Sequence, residues 1–331
     1  MIKEKRISQL HLNELPFGPA KVAAEQVAHT MQHVNRYPEH NSITLRSALA
    51  EHLGVDANWV VVGNGSIGVI QQAMMASGQR EIAFGWPGFE AFEVVANVLR
   101  MPIHKIELRD NACDLAQFLA AIRPQTSTII VCSPNSPTGG LVVHQLFEEF
   151  MRKVPSHVTV IIDEAYKEFV EDKDNVDGLA LVRSYANVVC TRTFSKAYGL
   201  AGLRLGYGIA QPALAQRIAG FGLPFQIPVP TQEMAIAALR DQATMRRHVQ
   251  AIIAERARMA ALLRGFGATV FEGHGNFIWL PLGSQTESIA HALREYGVFT
   301  KSVMPYGLRI TVGTEDETNA LGAAWKHLFS K

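Results

Sequence analysis

The chain has 331 residues, of which 48% are hydrophobic and 18% are charged. This composition excludes a disordered, collagen-like or coiled-coil chain, and the length is typical of about two globular domains. The 31 basic and 30 acidic side chains leave a formal charge of +1, so no overall charge attracts nucleic acid or an anionic membrane surface.

The cysteine and histidine patterns do not predict a metal site. The three cysteines form no CxxC pair, and the chain contains no HExxH motif. An odd number of widely spaced cysteines fits a reducing compartment. Residues 1–6 lack the apolar stretch of a secretory signal, and the uncharged segment 124–147 has too many turn residues to cross a bilayer. We therefore expect a cytoplasmic protein without a metal or a membrane segment.

Short apolar runs alternate with helical segments over the first two thirds of the chain. The seven runs are Trp59–Val62, Glu81–Phe84, Pro102–Leu108, Thr128–Cys132, Val158–Ile162, Asn187–Thr193 and Leu205–Ile209. The helical segments are Gly68–Ala76, Glu90–Leu99, Asp114–Ile122 and Gln145–Val154. This alternation predicts an α/β domain in which helices cover both faces of a parallel or mixed sheet.

A proline-dense stretch, Gly222–Pro230, follows these elements. Because proline fixes φ and lacks a backbone N–H, we predict that this stretch lies outside regular structure and marks a domain boundary. Beyond it, Thr231–Phe266 is predicted to be mostly helical. Three further runs predict the strands of a smaller α+β unit: Asn276–Leu280, Phe299–Val303 and Leu308–Val312.

Ligands of open α/β sheets bind at the carboxyl ends of the strands, and four of these strand ends carry unusual residues. The first, Gly63–Gly68, matches GxGxxG and precedes a helix whose N-terminus suits a phosphate. The same glycines also fit a turn that serves packing alone. A dinucleotide site needs an acidic residue about 20 residues further on. The next strand ends instead at Gly85-Trp86-Pro87, which argues against a dehydrogenase.

The second and third strand ends carry an amide and a carboxylate. Asn135 lies between two prolines after Thr128–Cys132, where its amide can donate a hydrogen bond or simply lie in a turn. Asp163 directly follows Val158–Ile162. A buried carboxylate there needs a partner, although a helix N-cap is the alternative.

The fourth strand end places Lys196 between an apolar strand and a glycine-rich loop, near Thr193, Ser195 and Arg204. Confined cationic surroundings lower the pKa of an ammonium and make the amine a nucleophile toward carbonyls. A phosphate cradle, an amine that forms a Schiff base, a buried acid and an amide donor are the groups that pyridoxal phosphate requires. Together, the strand ends predict a pyridoxal-phosphate enzyme.

The segment Thr193–Tyr207 closely resembles fold-type I aminotransferases, in particular their histidinol-phosphate aminotransferase branch. Matching pieces run almost end to end: Leu12-Asn13-Glu14, Asn35-Arg36-Tyr37-Pro38, Gly63-Asn64-Gly65-Ser66, Pro134-Asn135-Ser136-Pro137-Thr138-Gly139, Asp163-Glu164-Ala165-Tyr166, Asn276-Phe277 and Arg309-Ile310-Thr311-Val312-Gly313-Thr314. The resemblance implies a large domain, residues 36–225, with a mostly parallel seven-stranded sheet. It also implies a smaller α+β domain made of residues 1–35 and 226–331.

The resemblance implies catalytic roles for three residues. Lys196 would bind the aldehyde of pyridoxal phosphate and carry protons, and Asp163 would pair with the pyridine nitrogen. Tyr166, with Asn135, would form hydrogen bonds to the 3-hydroxyl of the cofactor.

The remaining cofactor contacts are implied in the same way. The phosphate would be bound by Gly65, Ser66, Thr193, Ser195 and Arg204, and the ring would stack on Phe89. Tyr37 would reach into the neighbouring subunit's site, so a homodimer with shared active sites is the expected unit.

The substrate is expected to contact Arg309, Asn13 and Lys301, with the guanidinium of Arg309 holding an anionic end. The branch implies transfer of an amino group between histidinol phosphate and 2-oxoglutarate, a step of histidine biosynthesis. Two features favour an aromatic amino acid aminotransferase instead. Lys301 stands where histidinol-phosphate relatives commonly have a second arginine, and Gly85–Phe92 resembles the aromatic enzymes. A decarboxylase of amino-acid phosphates, a nicotinamide dehydrogenase and a non-catalytic binding module are further alternatives.

Overall fold

The computed structural model describes residues 7–271 and 273–329. Its strands are β1 (Ser8–Leu10), β2 (Val60–Asn64), β3 (Glu81–Trp86), β4 (Ile103–Glu107), β5 (Thr126–Cys132), β6 (Thr159–Asp163), β7 (Val188–Thr193), β8 (Leu205–Ala210), β9 (Phe277–Leu280), β10 (Val298–Val303) and β11 (Gly307–Thr311). Its α-helices are α1 (Lys21–Thr30), α2 (Ile43–Leu53), α3 (Gly65–Ala76), α4 (Ala91–Val98), α5 (Leu115–Ala120), α6 (His144–Met151), α7 (Gly178–Ser184), α8 (Pro212–Ala219), α9 (Val229–Arg240), α10 (Gln242–Gly265), α11 (Thr286–Glu295) and α12 (Glu315–Phe329).

The large sheet has seven strands in the order β2-β8-β7-β6-β5-β3-β4. All neighbouring pairs are parallel except those of β8, which is antiparallel to both β2 and β7. Every residue of β5 and β6 is buried, as continuous apolar strands covered on both faces require. The predicted α/β fold with a mostly parallel seven-stranded sheet is therefore confirmed.

The second sheet has the order β1-β10-β11-β9. Strand β1 pairs in parallel with β10, so the N-terminal segment is hydrogen-bonded to the distant end of the chain. This sheet and helices α10 and α12 surround a separate apolar core that includes Leu10, Leu263 and Trp325. The smaller α+β unit thus forms as the sequence predicts, with β1 as a strand that the sequence patterns did not identify.

The proline-dense stretch differs from the prediction at its end. Helix α9 begins at Val229, so the last two residues of Gly222–Pro230 are helical. Pro230 lies in the first turn, where a helix leaves N–H groups unpaired and tolerates proline. Side chains of α9, such as Met234 and Leu239, share one apolar core with Ala23 of α1 and the large sheet. The domain bounds 36–225 and 1–35 with 226–331 stay a prediction.

Two further sequence features concern membranes and metals. None of the helices in the described residues is both long enough and apolar enough to cross a bilayer. His29 and His33 are four residues apart with ring centroids separated by 5.9 Å. Within the described ranges, no group of three or more His, Cys, Asp or Glu side chains lies where it could bind a metal ion.

Candidate active site

A cavity of about 430 Å³ lies at the carboxyl edge of the large sheet, where the small sheet and the N-terminal segment face it. This is a usual size for a small-molecule site. Eleven of the predicted site residues line it: Gly65, Ser66, Phe89, Asp163, Tyr166, Thr193, Ser195, Lys196, Arg204, Lys301 and Arg309. Strand register produces this convergence, because Asp163 is paired with Cys132 on one side and with Thr191 on the other.

One end of the cavity forms an anion cradle. Helix α3 begins at Gly65, whose N–H donates to the carbonyl of Arg204 at 2.9 Å, and no side chain within the described residues caps its N-terminus. Gly65 and Ser66 line the cavity, so the positive end of the helix lies at the cavity wall. The hydroxyls of Thr193 and Ser195 lie beside it, and Nη1 of Arg204 donates to Oγ of Ser195 at 3.3 Å. Amides, hydroxyls and a guanidinium are the donors that a phosphate group needs.

Glycine is required where the cradle is built. Gly65 has φ +72°, and a Cβ atom there would lie 2.7 Å from Nη2 of Arg204. A Cβ atom on Gly206 in β8 would collide with the backbone nitrogen of Ser66. Within the GxGxxG match, a Cβ atom on Gly63 would also lie 2.9 Å from the backbone nitrogen of Val69, so close contacts require glycine at Gly63 and Gly65.

Asp163 is the buried carboxylate of the site. Its Oδ1 accepts hydrogen bonds from the backbone N–H of Ala165 at 3.2 Å and from Oγ1 of Thr191 at 3.3 Å. Its Oδ2 accepts a weaker bond from Sγ of Cys132 at 3.7 Å. Burial raises the pKa of Asp163 to about 6, and these hydrogen bonds oppose the rise. A cation placed in the cavity next to Asp163 would lower this pKa and favour the charged form.

Lys196 is held by the N-terminal segment. Its Nζ donates to the carbonyl oxygens of Leu12 at 3.1 Å and Asn13 at 2.9 Å. Burial lowers the pKa of the Lys196 ammonium, and the nearby charges of Arg309 and Arg204 lower it further, against opposing contributions from Tyr166 and Glu14. A lowered pKa makes the free amine accessible for attack on a carbonyl.

Asn13 and Asn135 are two predicted site residues whose side-chain amides form hydrogen bonds to other residues of the protein. Nδ2 of Asn13 donates to the hydroxyl of Tyr166 at 2.9 Å, and its Oδ1 accepts from Thr311 at 2.9 Å. Nδ2 of Asn135 donates to the carbonyl of Pro87 at 3.2 Å and to Oγ1 of Thr138 at 2.8 Å. Neither residue lines the cavity, so a bond from Asn135 to a cofactor requires one of its present bonds to open.

Arg309, on β11 of the small sheet, is the second guanidinium that lines the cavity. Its Nη1 donates to Oγ of Ser136 at 3.2 Å and its Nη2 to the carbonyl of His11 at 2.7 Å. Its Nε is buried and has no hydrogen-bond partner among residues 7–271 and 273–329. Because an unpaired buried donor is costly, this guanidinium is suited to an anionic ligand.

Tyr37 lies away from its own cavity. Its side chain is 84% exposed, and its ring lies 5.0 Å from that of Phe225. Phe89, in contrast, forms part of the cavity wall with 39% of its surface exposed. The reach of Tyr37 into a second subunit stays a prediction.

Comparison with known proteins identifies the family of this chain. The family model described as aminotransferase class I and II matches residues 5–324. The chain belongs to this aminotransferase family. An aromatic amino acid aminotransferase of Mycobacterium bovis is 38% identical over 316 residues, which cover 94% of this chain and 90% of that protein. One of Streptomyces avermitilis is 39% identical over 314 residues, covering 94% and 87%.

A solved structure shows the same architecture. The histidinol-phosphate aminotransferase of Sinorhizobium meliloti, crystallised with pyridoxal-5'-phosphate, matches with a TM-score of 0.91 and 25% identity over 98% of this chain and 91% of that one. The aminotransferase described here is therefore a fold-type I, pyridoxal-phosphate-dependent enzyme, as the sequence predicts. Its cavity fits the cofactor, because an anion cradle, a buried carboxylate that lacks a cation and an amine of lowered pKa line one space.

Some cavity residues of this aminotransferase were not predicted from the sequence. His11, Glu14, Glu90 and Cys132 line the cavity without belonging to the predicted site. His11 directly precedes the matching piece Leu12-Asn13-Glu14, Glu14 is its last residue, and Glu90 lies within Gly85–Phe92. The signal that the sequence offered for His11, Glu14 and Glu90 was their proximity to those motifs. Cys132 differs from them, because it is the last residue of strand β5.

Proposed function

We propose that this aminotransferase transfers the amino group of an aromatic amino acid of the phenylalanine or tyrosine type to a 2-oxo acid. The observation that carries the proposal is the residue at position 301. An ammonium cannot offer the two-pronged grip of a guanidinium on a phosphate, so of the neighbouring pair Lys301 and Arg309 it is Arg309 that can provide that grip. The curated relatives named aromatic amino acid aminotransferases support the same substrate class.

The apolar part of the wall suits an aromatic side chain. Leu12, Ile67, Phe89 and Val303 line the cavity together with its charged residues. Burial of an aromatic ring against such surface is favourable by about 25 cal/mol per Å². In this proposal, Arg309 binds the substrate's carboxylate and the apolar side chains receive its ring.

In the proposed reaction, the cofactor and the protein's side chains have separate roles. Pyridoxal phosphate supplies an aldehyde that takes up amines and a ring that withdraws electrons from the adjoining carbon. Asp163 would hold the proton on the ring nitrogen. Nζ of Lys196 would take the proton from the substrate's α-carbon and return it on the cofactor side. The anion cradle and Phe89 would hold the cofactor in place while the two substrates exchange.

A homodimer is part of the proposal. Tyr37 and Phe225 lie on a surface that also exposes Leu223, 73% accessible, and Phe221, 43% accessible. Exposed apolar groups of this kind commonly mark an interface. A second copy covering this surface would bring its Tyr37 toward the first copy's site.

Single-turnover measurements test the substrate class. The holoenzyme is mixed separately with phenylalanine, tyrosine, histidine and histidinol phosphate, and loss of the cofactor's visible band is followed. We expect phenylalanine and tyrosine to react with the highest kcat/KM, by about tenfold or more, because only they fill the apolar wall. Fastest reaction with histidinol phosphate would contradict the proposal and support the branch represented by the Sinorhizobium meliloti enzyme.

A further inference from the structure

An ion pair joins the two units across the wall of the active-site cavity. Nζ of Lys301, on β10, donates to Oε2 of Glu90 at 2.9 Å. Glu90 directly precedes α4, which packs with the large sheet. Both side chains line the cavity. The charge of Lys301 therefore already has a partner that belongs to the chain itself.

Lys301 lies directly beside Arg309. The two residues are Cα partners in the antiparallel pair of β10 and β11, and directly opposed side chains on one face of a sheet lie close enough to interact. Both line the cavity. A ligand with two carboxylates can thus contact both cations, whereas a ligand with one carboxylate and an aromatic side chain needs Arg309 only.

The ion pair between Glu90 and Lys301 can be separated by a ligand at little cost in stability. The Glu90 side chain is 54% exposed and that of Lys301 37% exposed, and pairs this exposed contribute little to stability. Glu90 also precedes a helix N-terminus with no side-chain cap. A released Glu90 carboxylate therefore stays in water near the positive end of α4, where negative charge is favoured.

An aminotransferase uses one cavity for two different substrates, which raises a conflict at Lys301. With a neutral aromatic side chain bound, the ring would displace water from Lys301, and an ammonium that loses water without gaining a counter-charge is unfavourable. With an acidic 2-oxo acid bound, a second carboxylate would need that same ammonium. The conflict is resolved if the carboxylate of Glu90 separates from Lys301 when an acidic ligand binds.

We propose that Glu90 is a specificity-determining residue that neutralises Lys301 while an aromatic ligand is bound and yields Lys301 to the distal carboxylate of an acidic 2-oxo acid such as 2-oxoglutarate. This inference rests on the proposed function, because it assumes one aromatic and one acidic substrate. It assigns a role to Glu90 in addition to the substrate-binding role predicted for Lys301.

The test compares two ligands that bind without turnover. Glutarate carries two carboxylates, and 3-phenylpropionate carries one carboxylate and a ring. Their dissociation constants are measured calorimetrically on the holoenzyme for wild type, Glu90→Gln, Lys301→Gln and the double variant. Glu93→Gln is the matched control, because Glu93 lies in the first turn of α4, close to Glu90 in the chain, and pairs with an exposed lysine, Lys105, at 2.8 Å, but does not line the cavity.

The two variants are expected to change the two ligands differently. Glu90→Gln lowers the glutarate dissociation constant about threefold to tenfold and raises that of 3-phenylpropionate by about threefold, because Lys301 is then left without its counter-charge. Lys301→Gln raises the glutarate constant about tenfold and changes the 3-phenylpropionate constant by about twofold or less. In the double variant, loss of Glu90 has no further effect, because Glu90 acts through Lys301. Glu93→Gln leaves both constants unchanged.

Two results would overturn the inference. One is unchanged glutarate binding in Glu90→Gln, and the other is an equal loss of both ligands in Lys301→Gln. Failure of the proposed function is detected separately, because it appears as absence of phenylalanine transamination by the wild-type holoenzyme. The glutarate measurements do not depend on that reaction.

Discussion

Asp163 and Glu164 are adjacent buried carboxyls whose surroundings move their pKa values in opposite directions. Burial opposes ionisation of both. For Asp163, no cation among residues 7–271 and 273–329 offsets burial, and its pKa is raised to about 6. For Glu164, the positive charges of Arg192, at 2.8 Å, and Lys167, at 3.0 Å, more than offset burial and lower its pKa to about 2. The charge of Glu164 is thus neutralised by two side chains of the protein, whereas the charge of Asp163 would be neutralised by a cationic ligand.

The raised pKa of Asp163 predicts a pH effect on the cofactor-free protein. The unfolded chain releases this proton near pH 3.9, so the folded state binds it more tightly. The contribution to stability is full below about pH 4 and is lost as the pH rises to about 6, a change on the order of 3 kcal/mol. We expect cofactor-free Asp163→Asn to lose less free energy of unfolding than cofactor-free wild type between pH 4 and pH 7. Urea denaturation measures both, and equal losses would contradict the pKa assignment.

Lys196 provides a second prediction for a single residue. Lys196→Ala removes the proposed proton carrier, so the transamination rate should fall by about 10³-fold or more. Borohydride reduction followed by peptide mass analysis should show the cofactor's mass on Lys196 in the wild type. Lys326→Ala, at the exposed end of α12, is the control and should keep full activity. A cofactor adduct on another lysine would remove Lys196 from its proposed role.

At the scale of secondary-structure elements, the anion cradle depends on how closely β8 approaches the start of α3. Backbone contact between these elements leaves no room for a side chain at Gly206. The N–H groups of the first turn of α3 are thereby held rigidly against the loop that carries Ser195. Close packing of two elements, more than any single donor, fixes the position of the cradle.

Gly206→Ala should therefore separate β8 from α3. We expect a loss of stability of about 1–3 kcal/mol from overpacking, with cofactor affinity weakened by about tenfold or more because the first-turn N–H groups move. Thermal unfolding and cofactor titration measure the two effects. Gly265→Ala is the control, since a Cβ atom there meets nothing within 4 Å. Unchanged cofactor affinity in Gly206→Ala would show that the cradle does not need this contact.

At the scale of the whole molecule, the site joins parts that are far apart in the chain. The carbonyl of Asn13 accepts hydrogen bonds from Lys196 on the large-sheet side and from Nδ2 of Asn276 next to β9. Its amide reaches Tyr166. The N-terminal segment therefore connects both sheets at the lysine, and the cavity is complete only when this segment is in place.

The proposed dimer predicts activity from two inactive chains. If each site combines Lys196 of one copy with Tyr37 of the other, a mixed dimer of Lys196→Ala and Tyr37→Ala chains contains one site with both residues intact. Random exchange of subunits should restore about a quarter of wild-type activity. Activity is measured before and after co-refolding or co-expression. Activity no higher than that of the separate variants would contradict shared sites.

The local chemistry of the sequence is sufficient for much of this molecule. Continuous apolar runs must be buried on both faces, so the strands of the large sheet other than the partly exposed edge strand β4 are predictable from burial. The residues that follow them, Asp163 and Lys196 among them, are predictable with them. The start of α9 is less predictable, because its first two residues, Val229 and Pro230, belong to the stretch predicted to be irregular. Strand β1 is also not apparent, because three residues carry too little pattern.

Side-chain partners were decided by the tertiary structure alone. Strand β8 inserts between β2 and β7, out of chain order, and no local pattern encodes that neighbour. Glu90 meets Lys301 across 211 residues, and Asn13 turns its amide toward Tyr166 and Thr311 across 153 and 298 residues. Local sequence specifies which residues are buried and where strands end, because burial and backbone conformation are local preferences. Which charges and amides meet depends on long-range packing, which arises only when both sheets assemble.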